Sequence, residues 1–208
     1  VIPTAVFCDF DGTITQNETF VGMLKEFAPA AAEEIMPEIY ALRLTLREGV
    51  KQMLASIPAS CYPAILDYAR TQPMRAGFVE LLDFLDERQI PLVVVSGGLQ
   101  GMVETVLGDL KSRVKGIHAV EIDSTGEFLT ARSRYEGDTE LVAKVSVIQS
   151  YQVERPIAIG DSVTDLNMAL YAPIVFARDK LATYLQERQK TYYSWDNFFD
   201  IRDRLADL

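Results

Sequence analysis

Short apolar runs alternate with amphipathic stretches along most of this chain. Ala5 to Asp9 is an apolar run that ends in polar residues and Gly12, which predicts a buried strand followed by a turn. From about Asn17 to Thr71 the spacing changes. Phe20, Met23, Leu24 and Phe27 recur at helical intervals, and Pro29, Pro37, Pro58 and Pro63 punctuate the segments, so a small all-helical insert is expected there. The alternation resumes after Arg75. Helices are expected at Gly77–Arg88, Leu99–Leu110, Thr139–Tyr151, Thr164–Tyr171, Lys180–Gln189 and the C-terminus. Buried strands are expected at Leu92–Val95, Pro156–Ile159 and Ile174–Phe176, with a short one at Tyr192–Trp195. Ala119–Ile122 and Phe128–Ala131 flank Asp123-Ser124-Thr125-Gly126 and read as a hairpin.

Short buried strands alternating with helices predict an α/β fold: a doubly wound, Rossmann-like parallel sheet covered on both faces. The expected division is a core of residues 1–15 and 76–208 and a helical cap of residues 16–75, inserted after the first strand. In such sheets ligands bind beyond the carboxyl ends of the strands. The polar residues that follow each strand are therefore the ones to weigh.

Composition narrows the chemistry. The 208 residues are 49% hydrophobic, with 20 basic and 30 acidic residues and a net charge of −10. That balance argues against nonspecific binding to nucleic acid or to an anionic membrane. No apolar run of about 18 residues predicts a membrane span, and Val1 to Phe7 lacks the basic start of a signal peptide. Two cysteines, Cys8 and Cys61, do not suggest a disulfide framework, so a reducing cytoplasm is the expected setting. His118 is the only histidine, which leaves almost nothing for serine–histidine catalysis or a histidine-rich zinc site. Any metal should be a hard cation held by carboxylates.

Four segments carry candidate chemistry. In Asp9-Phe10-Asp11-Gly12-Thr13, two carboxylates sit two residues apart at a strand end and point the same way on an extended backbone. Close like charges need a compensating cation or proton; the plain alternative is an acidic turn. Ser96-Gly97-Gly98 follows Val93-Val94-Val95 and offers a hydroxyl and backbone N–H groups to an anion, or is simply a turn. Lys144 lies among apolar residues on an expected helix, either as a counter-charge or as a snorkelling surface residue. Asp161 follows a strand and Asp165 comes one helical turn later; a capping role explains one of them but not the pair.

Taken in order, these segments resemble the motifs of the haloacid dehalogenase superfamily. The cap position and Arg75-Ala76-Gly77 look like its phosphoserine phosphatase-like branch. The resemblance implies a phosphatase acting on a small phosphorylated metabolite. Asp9 would be the nucleophile and Asp11 the acid and base, while Ser96 and Lys144, with Gly97 and Gly98, would hold the transferring phosphoryl group. Mg²⁺ would be bound by Asp9, the main-chain carbonyl of Asp11 and Asp161, with Asp165 supporting that shell or Lys144; Thr13 and Ser162 would be neighbours.

In the cap, Glu18 would look toward the substrate or begin a helix. Arg43, Arg47 and Lys51 share a helical face, from which Arg47 is the candidate to reach substrate. Phe176-Ala177-Arg178-Asp179 and Phe198-Phe199-Asp200-Ile201-Arg202 lie outside the catalytic motifs and resemble one metabolic phosphatase of the branch more closely. One departure is that Ser133 to Ala143 contains no cysteine, where members of that group carry several. Hydrolysis of phosphoserine is the alternative within the branch, and a phosphomutase and a catalytically silent binding module are the further rival readings.

Overall fold

The computed structural model describes residues 1–208. Its first strand, β1 (Ile2–Cys8), explains the rest of the architecture. Ala5, Val6, Phe7 and Cys8 are all fully buried. Ala5 and Phe7 belong to one apolar cluster and Val6 and Cys8 to another, because side chains alternate across a strand. Both faces of the sheet are therefore covered, as a continuous apolar run predicts.

The sheet has seven strands. The others are β2 (Leu92–Leu99), β3 (Gly116–Asp123), β4 (Thr130–Arg132), β5 (Val153–Gly160), β6 (Ile174–Ala177) and β7 (Tyr193–Ser194). Their order is β4-β3-β2-β1-β5-β6-β7, and only the β3–β4 pair is antiparallel. The chain first winds from β1 toward β2 and β3, then returns to the other side of β1 with β5. The switch point lies between β1 and β5, where a ligand crevice opens.

Four helices fall within residues 16–75: α1 (Thr19–Phe27), α2 (Pro29–Tyr40), α3 (Leu46–Leu54) and α4 (Tyr62–Arg70). Their buried residues Met23, Leu24, Met53, Leu54 and Ile65 join the same cluster as Phe7, Val93 and Val95 of the sheet. The opposite face is covered by α5 (Phe78–Glu87) and α10 (Phe198–Ala206), where Phe78 and Phe198 meet edge to face at 5.1 Å. The remaining helices are α6 (Gln100–Leu107), α7 (Lys144–Ser150), α8 (Leu166–Tyr171) and α9 (Asp179–Glu187). No helix is long and apolar enough to cross a membrane.

Three local expectations change. β2 does not end at Val95 but continues through Ser96-Gly97-Gly98 to Leu99, with a register shift against β3 between Val95 and Leu99. Without bulky side chains, the two glycines let the strand bend rather than stop. Residues 139–143 are not helical, and α7 begins at Lys144. A turn precedes it, with Gly137 N bonded to Glu140 O and Ala143 N to Tyr135 O. Lys144 therefore opens its helix instead of lying within it. Finally, a 3₁₀ turn at Val163–Asp165 stands between β5 and α8, so Asp165 precedes the α-helix.

Candidate active site

β1 and β5 are paired in parallel, with Cys8 opposite Ile159. The residues that follow them, Asp9 and Asp161, emerge side by side at the switch point. Asp9 N donates to Ile159 O at 2.9 Å, which ties the first loop to the second strand. A turn at Gly12 (φ +79°) folds the first loop back, so that Gly12 lies against the Asp161 carboxylate. Thr13 Oγ1 donates to Asp161 Oδ1 at 2.9 Å.

The charged groups are nearly sealed from solvent: Asp9 and Lys144 are 3% exposed, Asp161 6% and Asp165 0%. Lys144 Nζ donates to Asp9 Oδ1 and to Asp165 Oδ1, both at 2.5 Å. Asp165 Oδ2 accepts the amides of Asp161 (3.0 Å) and Ser162 (3.1 Å). Both Asp165 oxygens are thus committed within the protein. Asp9 Oδ2 and Asp161 Oδ2 accept no bond from it.

Ligand atoms of Asp9, Asp161 and Asp165 lie within 4.8 Å of one another. Three carboxylates against one ammonium group leave an excess of negative charge in a buried place, which is costly. Burial, followed by the charge of Asp165, pushes Asp9 well above the usual carboxylate range despite Lys144. The same causes push Asp161 up to about 7, against the bond from Thr13. Burial opposes the charge on Lys144, but Asp165 and Asp9 outweigh it and raise its proton affinity, so it stays an ammonium. The donor set fits a small, hard cation, which Asp9 and Asp161 would hold: oxygen only, buried, with two free carboxylate oxygens and excess charge.

Asp11 takes a different place from the one an extended backbone predicts. β1 ends at Cys8 and the chain turns, so the Asp11 carboxylate does not join the other three. It caps α1 instead. Oδ1 accepts Thr19 N at 2.5 Å and the Thr19 hydroxyl, and Phe20 N donates to both oxygens at 3.1 and 3.2 Å. Glu18, the residue at the N-cap position, makes no such bond. Burial raises Asp11 to about 6 against the bonds from Thr19 and Phe20. A carboxyl group with that proton affinity can donate and accept a proton near neutral pH.

Ser96 is fully buried at the bend of β2, and its hydroxyl oxygen accepts Gly98 N at 3.0 Å. A methyl group on Gly97 would meet nothing within 4 Å, whereas one on Gly98 would stand 3.3 Å from Ser96 Oγ and 3.7 Å from Phe20 Cβ. Phe20 of α1 therefore lies over this bend. Glu18, Gly12, Gln16, Arg75, Asp161 and Arg178 line a polar cleft of about 240 Å³ beside the carboxylates.

Arg47 lies outside this constellation. Its guanidinium donates to Gly137 O at 3.0 Å and stands 3.8 Å from Glu136, tying α3 to the segment before Lys144. Arg43 and Lys51 pair with Glu38 and Glu136, as a solvated face does. Arg75, which lines the polar cleft, is not among the candidates that the sequence motifs supply. Its signal was a charged residue at the seam where the helical insert returns to the core.

A model of the haloacid dehalogenase-like hydrolases matches residues 6–170. The chain is 54% identical over 202 residues to 2-hydroxy-3-keto-5-methylthiopentenyl-1-phosphate phosphatase of Microcystis aeruginosa strain NIES-843, covering 96% of each chain. A Bacillus cereus (strain AH187) protein of the same name is 34% identical over 215 residues, covering 98% of this chain and 96% of its own. Among solved structures, phosphoserine phosphatase from T. onnurineus aligns over 100% of this chain and 96% of its own, with a TM-score of 0.73 and 15% identity. A phosphoserine phosphohydrolase-like protein from Francisella tularensis aligns over 97% and 99%, with a TM-score of 0.72 and 21% identity. The last two share the fold with this chain. Carboxylates gathered at one strand switch point and a match over most of the length lead to one conclusion: the chain belongs to the haloacid dehalogenase-like hydrolase family.

Proposed function

We propose that this protein hydrolyses 2-hydroxy-3-keto-5-methylthiopentenyl-1-phosphate, a phosphate monoester of methionine salvage, through a phosphoaspartate on Asp9, and that it needs Mg²⁺. The observation that carries this reading is the lysine bridge. Lys144 spans Asp9 and Asp165 and, with Thr13 holding Asp161 Oδ1, one oxygen of Asp9 and one of Asp161 stay uncommitted. The named relatives, similar over 96% of the chain, support the choice of substrate.

A carboxylate attacks phosphorus when it is aligned and when charge is neutralised. Lys144 holds the Asp9 carboxylate in a fixed orientation, which aligns it for attack. The Ser96 hydroxyl and the backbone of the β2 bend would hold phosphoryl oxygens. Asp11, with its raised proton affinity, would protonate the leaving oxygen and then take a proton from the attacking water. Asp9 and Asp161 would hold Mg²⁺, together with the main-chain carbonyl of Asp11. When bound, the cation would neutralise charge between nucleophile and phosphate. Residues 16–75 act in this reading as a cap over the core formed by residues 1–15 and 76–208. Phe20 covers the phosphate bend, and Glu18 faces the cleft from the first turn of the cap. A cytoplasmic setting suits the two free cysteines.

Release of inorganic phosphate from this ester and from phosphoserine, with Mg²⁺ or with chelator, tests the reading. Turnover should require Mg²⁺, prefer the methylthiopentenyl ester and vanish in Asp9→Asn. Turnover that survives that substitution would remove Asp9 as the nucleophile.

A further inference from the structure

The two segments that join the helical insert to the sheet run side by side. Thr15 and Met74 form an antiparallel bridge, Gln16 N donates to Pro73 O at 3.0 Å, and Arg75 N donates to Ile14 O at 2.7 Å. The side chain of Arg75 then turns back along the loop that follows Asp9. Its Nη2 donates to Gly12 O at 2.8 Å and its Nε to Thr13 O at 2.9 Å, with longer bonds from Nη2 to Thr15 O (3.3 Å) and Gln16 O (3.4 Å). On the outer side Nη1 reaches Asp196 O at 3.5 Å, and the guanidinium lies 5.4 Å from the centre of the Trp195 ring.

The carbonyls of Gly12 and Thr13 belong to the two peptide planes that flank the Thr13 Cα. Holding both planes fixes the direction of the Thr13 side chain, which is β-branched and has few rotamers. That side chain is fully buried, and its hydroxyl donates to Asp161 Oδ1 at 2.9 Å. A chain of direct contacts thus runs from Arg75 through Thr13 to a carboxylate of the cluster. Arg75 itself makes no hydrogen bond or ion pair with Asp9, Lys144, Asp161 or Asp165.

We infer that Arg75 is a positioning residue for the cation site, which it governs by fixing Thr13 and, through Thr13, the Asp161 carboxylate. The inference rests on the reading of Asp9 and Asp161 as Mg²⁺ ligands. A planar guanidinium serves this task because it presents several donors in fixed directions, which an ammonium group does not.

The test uses the full chain with Arg75→Lys, Thr13→Val and the double variant. Two quantities are read for each: the Mg²⁺ concentration that half-raises the unfolding temperature, and the Mg²⁺ concentration that half-activates turnover. Partners of metal ligands govern affinity by about 10–100-fold. R75K should shift both midpoints upward by about tenfold, with the substrate KM at saturating Mg²⁺ unchanged. T13V should do the same. The double variant should lose no more than the worse single, because both act through one contact. A wild-type Mg²⁺ midpoint in R75K, or losses that multiply in the double variant, would overturn the inference. If R75K fails to fold, T13V with a wild-type midpoint does so alone. A wild-type protein whose unfolding temperature and turnover both ignore Mg²⁺ would instead overturn the cation site itself.

Discussion

Gly12 approaches the Asp161 carboxylate so closely that a methyl group at its Cα would stand 2.6 Å from Oδ2. Its φ of +79° also lies where residues with a Cβ are strained. Gly12→Ala should therefore cost about 1–2 kcal/mol of stability from the backbone alone. The larger effect should be on function, since the new methyl displaces one of the two free carboxylate oxygens. Half-activation by Mg²⁺ should rise about 10–100-fold. Urea unfolding and a Mg²⁺ titration of turnover measure the two effects separately; an alanine variant with the wild-type Mg²⁺ response would mean that Asp161 Oδ2 is not a ligand.

Lys144→Met should separate the buried charge from its bulk. Methionine nearly preserves the length of the side chain and removes the ammonium group. Asp9 and Asp165 then lose their shared counter-charge in a place closed to water. Breaking a buried pair from one side costs about 3–5 kcal/mol. Turnover should fall about 100–1,000-fold, the range found when one donor to a transition-state charge is removed. Lowering the pH should restore part of the stability, because Asp9, already raised by burial, takes up a proton in place of the missing charge. Denaturation curves at pH 5 and pH 8 check this, and equal losses at both pH values would contradict it.

The parts of this site that directly follow a strand were legible in the sequence. Asp9 and Asp161 are set by β1 and β5, and buried strands announce themselves as apolar runs. The helical insert was equally plain from its spacing and prolines. What escaped depended on tertiary contacts. Lys144 reads as mid-helix by periodicity, but the preceding segment turns to meet α3 through Arg47, so the helix starts late. Asp11 reads as a twin of Asp9, yet its carboxylate caps a helix of the insert. The bend of β2 at Ser96 reads as a strand end because glycines usually stop strands. Arg75 bonds carbonyl oxygens, and beyond its place at the seam of insert and core the sequence does not show which main-chain acceptors it meets.

Phe20 should discriminate among substrates. It lies over Gly98 and the Ser96 bend, while its backbone amide is held by Asp11. A substrate whose phosphate sits in that bend would pass beneath the ring. Phe20→Ala should raise KM for the methylthiopentenyl ester about tenfold, the loss expected when part of an apolar contact is removed. Phosphoserine has no apolar tail, so its KM should change little. Steady-state kinetics with both esters provides the check; parallel losses for the two would place Phe20 in general packing rather than in substrate choice.

Stability of the metal-free protein should fall as pH rises, the reverse of the usual carboxylate behaviour. Asp11 sits at about 6 and Asp161 at about 7, each raised mainly by burial from an ordinary value of 3.8. A raised value means that the folded protein holds the proton more tightly than the unfolded chain. Each group therefore costs stability once pH exceeds the unfolded value, and the full cost is present above the folded value. Between pH 5 and pH 8, Asp11 and Asp161 together should remove about 3–4 kcal/mol. For a chain of this length that is an unfolding temperature lower by about 10 °C at pH 8. Mg²⁺ should narrow the gap, since it binds the ionised carboxylates and so stabilises the protein most where they have lost their protons. Thermal unfolding at pH 5, 6, 7 and 8, in chelator and in excess Mg²⁺, gives both curves. A chelated protein that is more stable at pH 8 than at pH 5 would show that these carboxylates are ionised at no cost, and the case for a compensating cation would go with them.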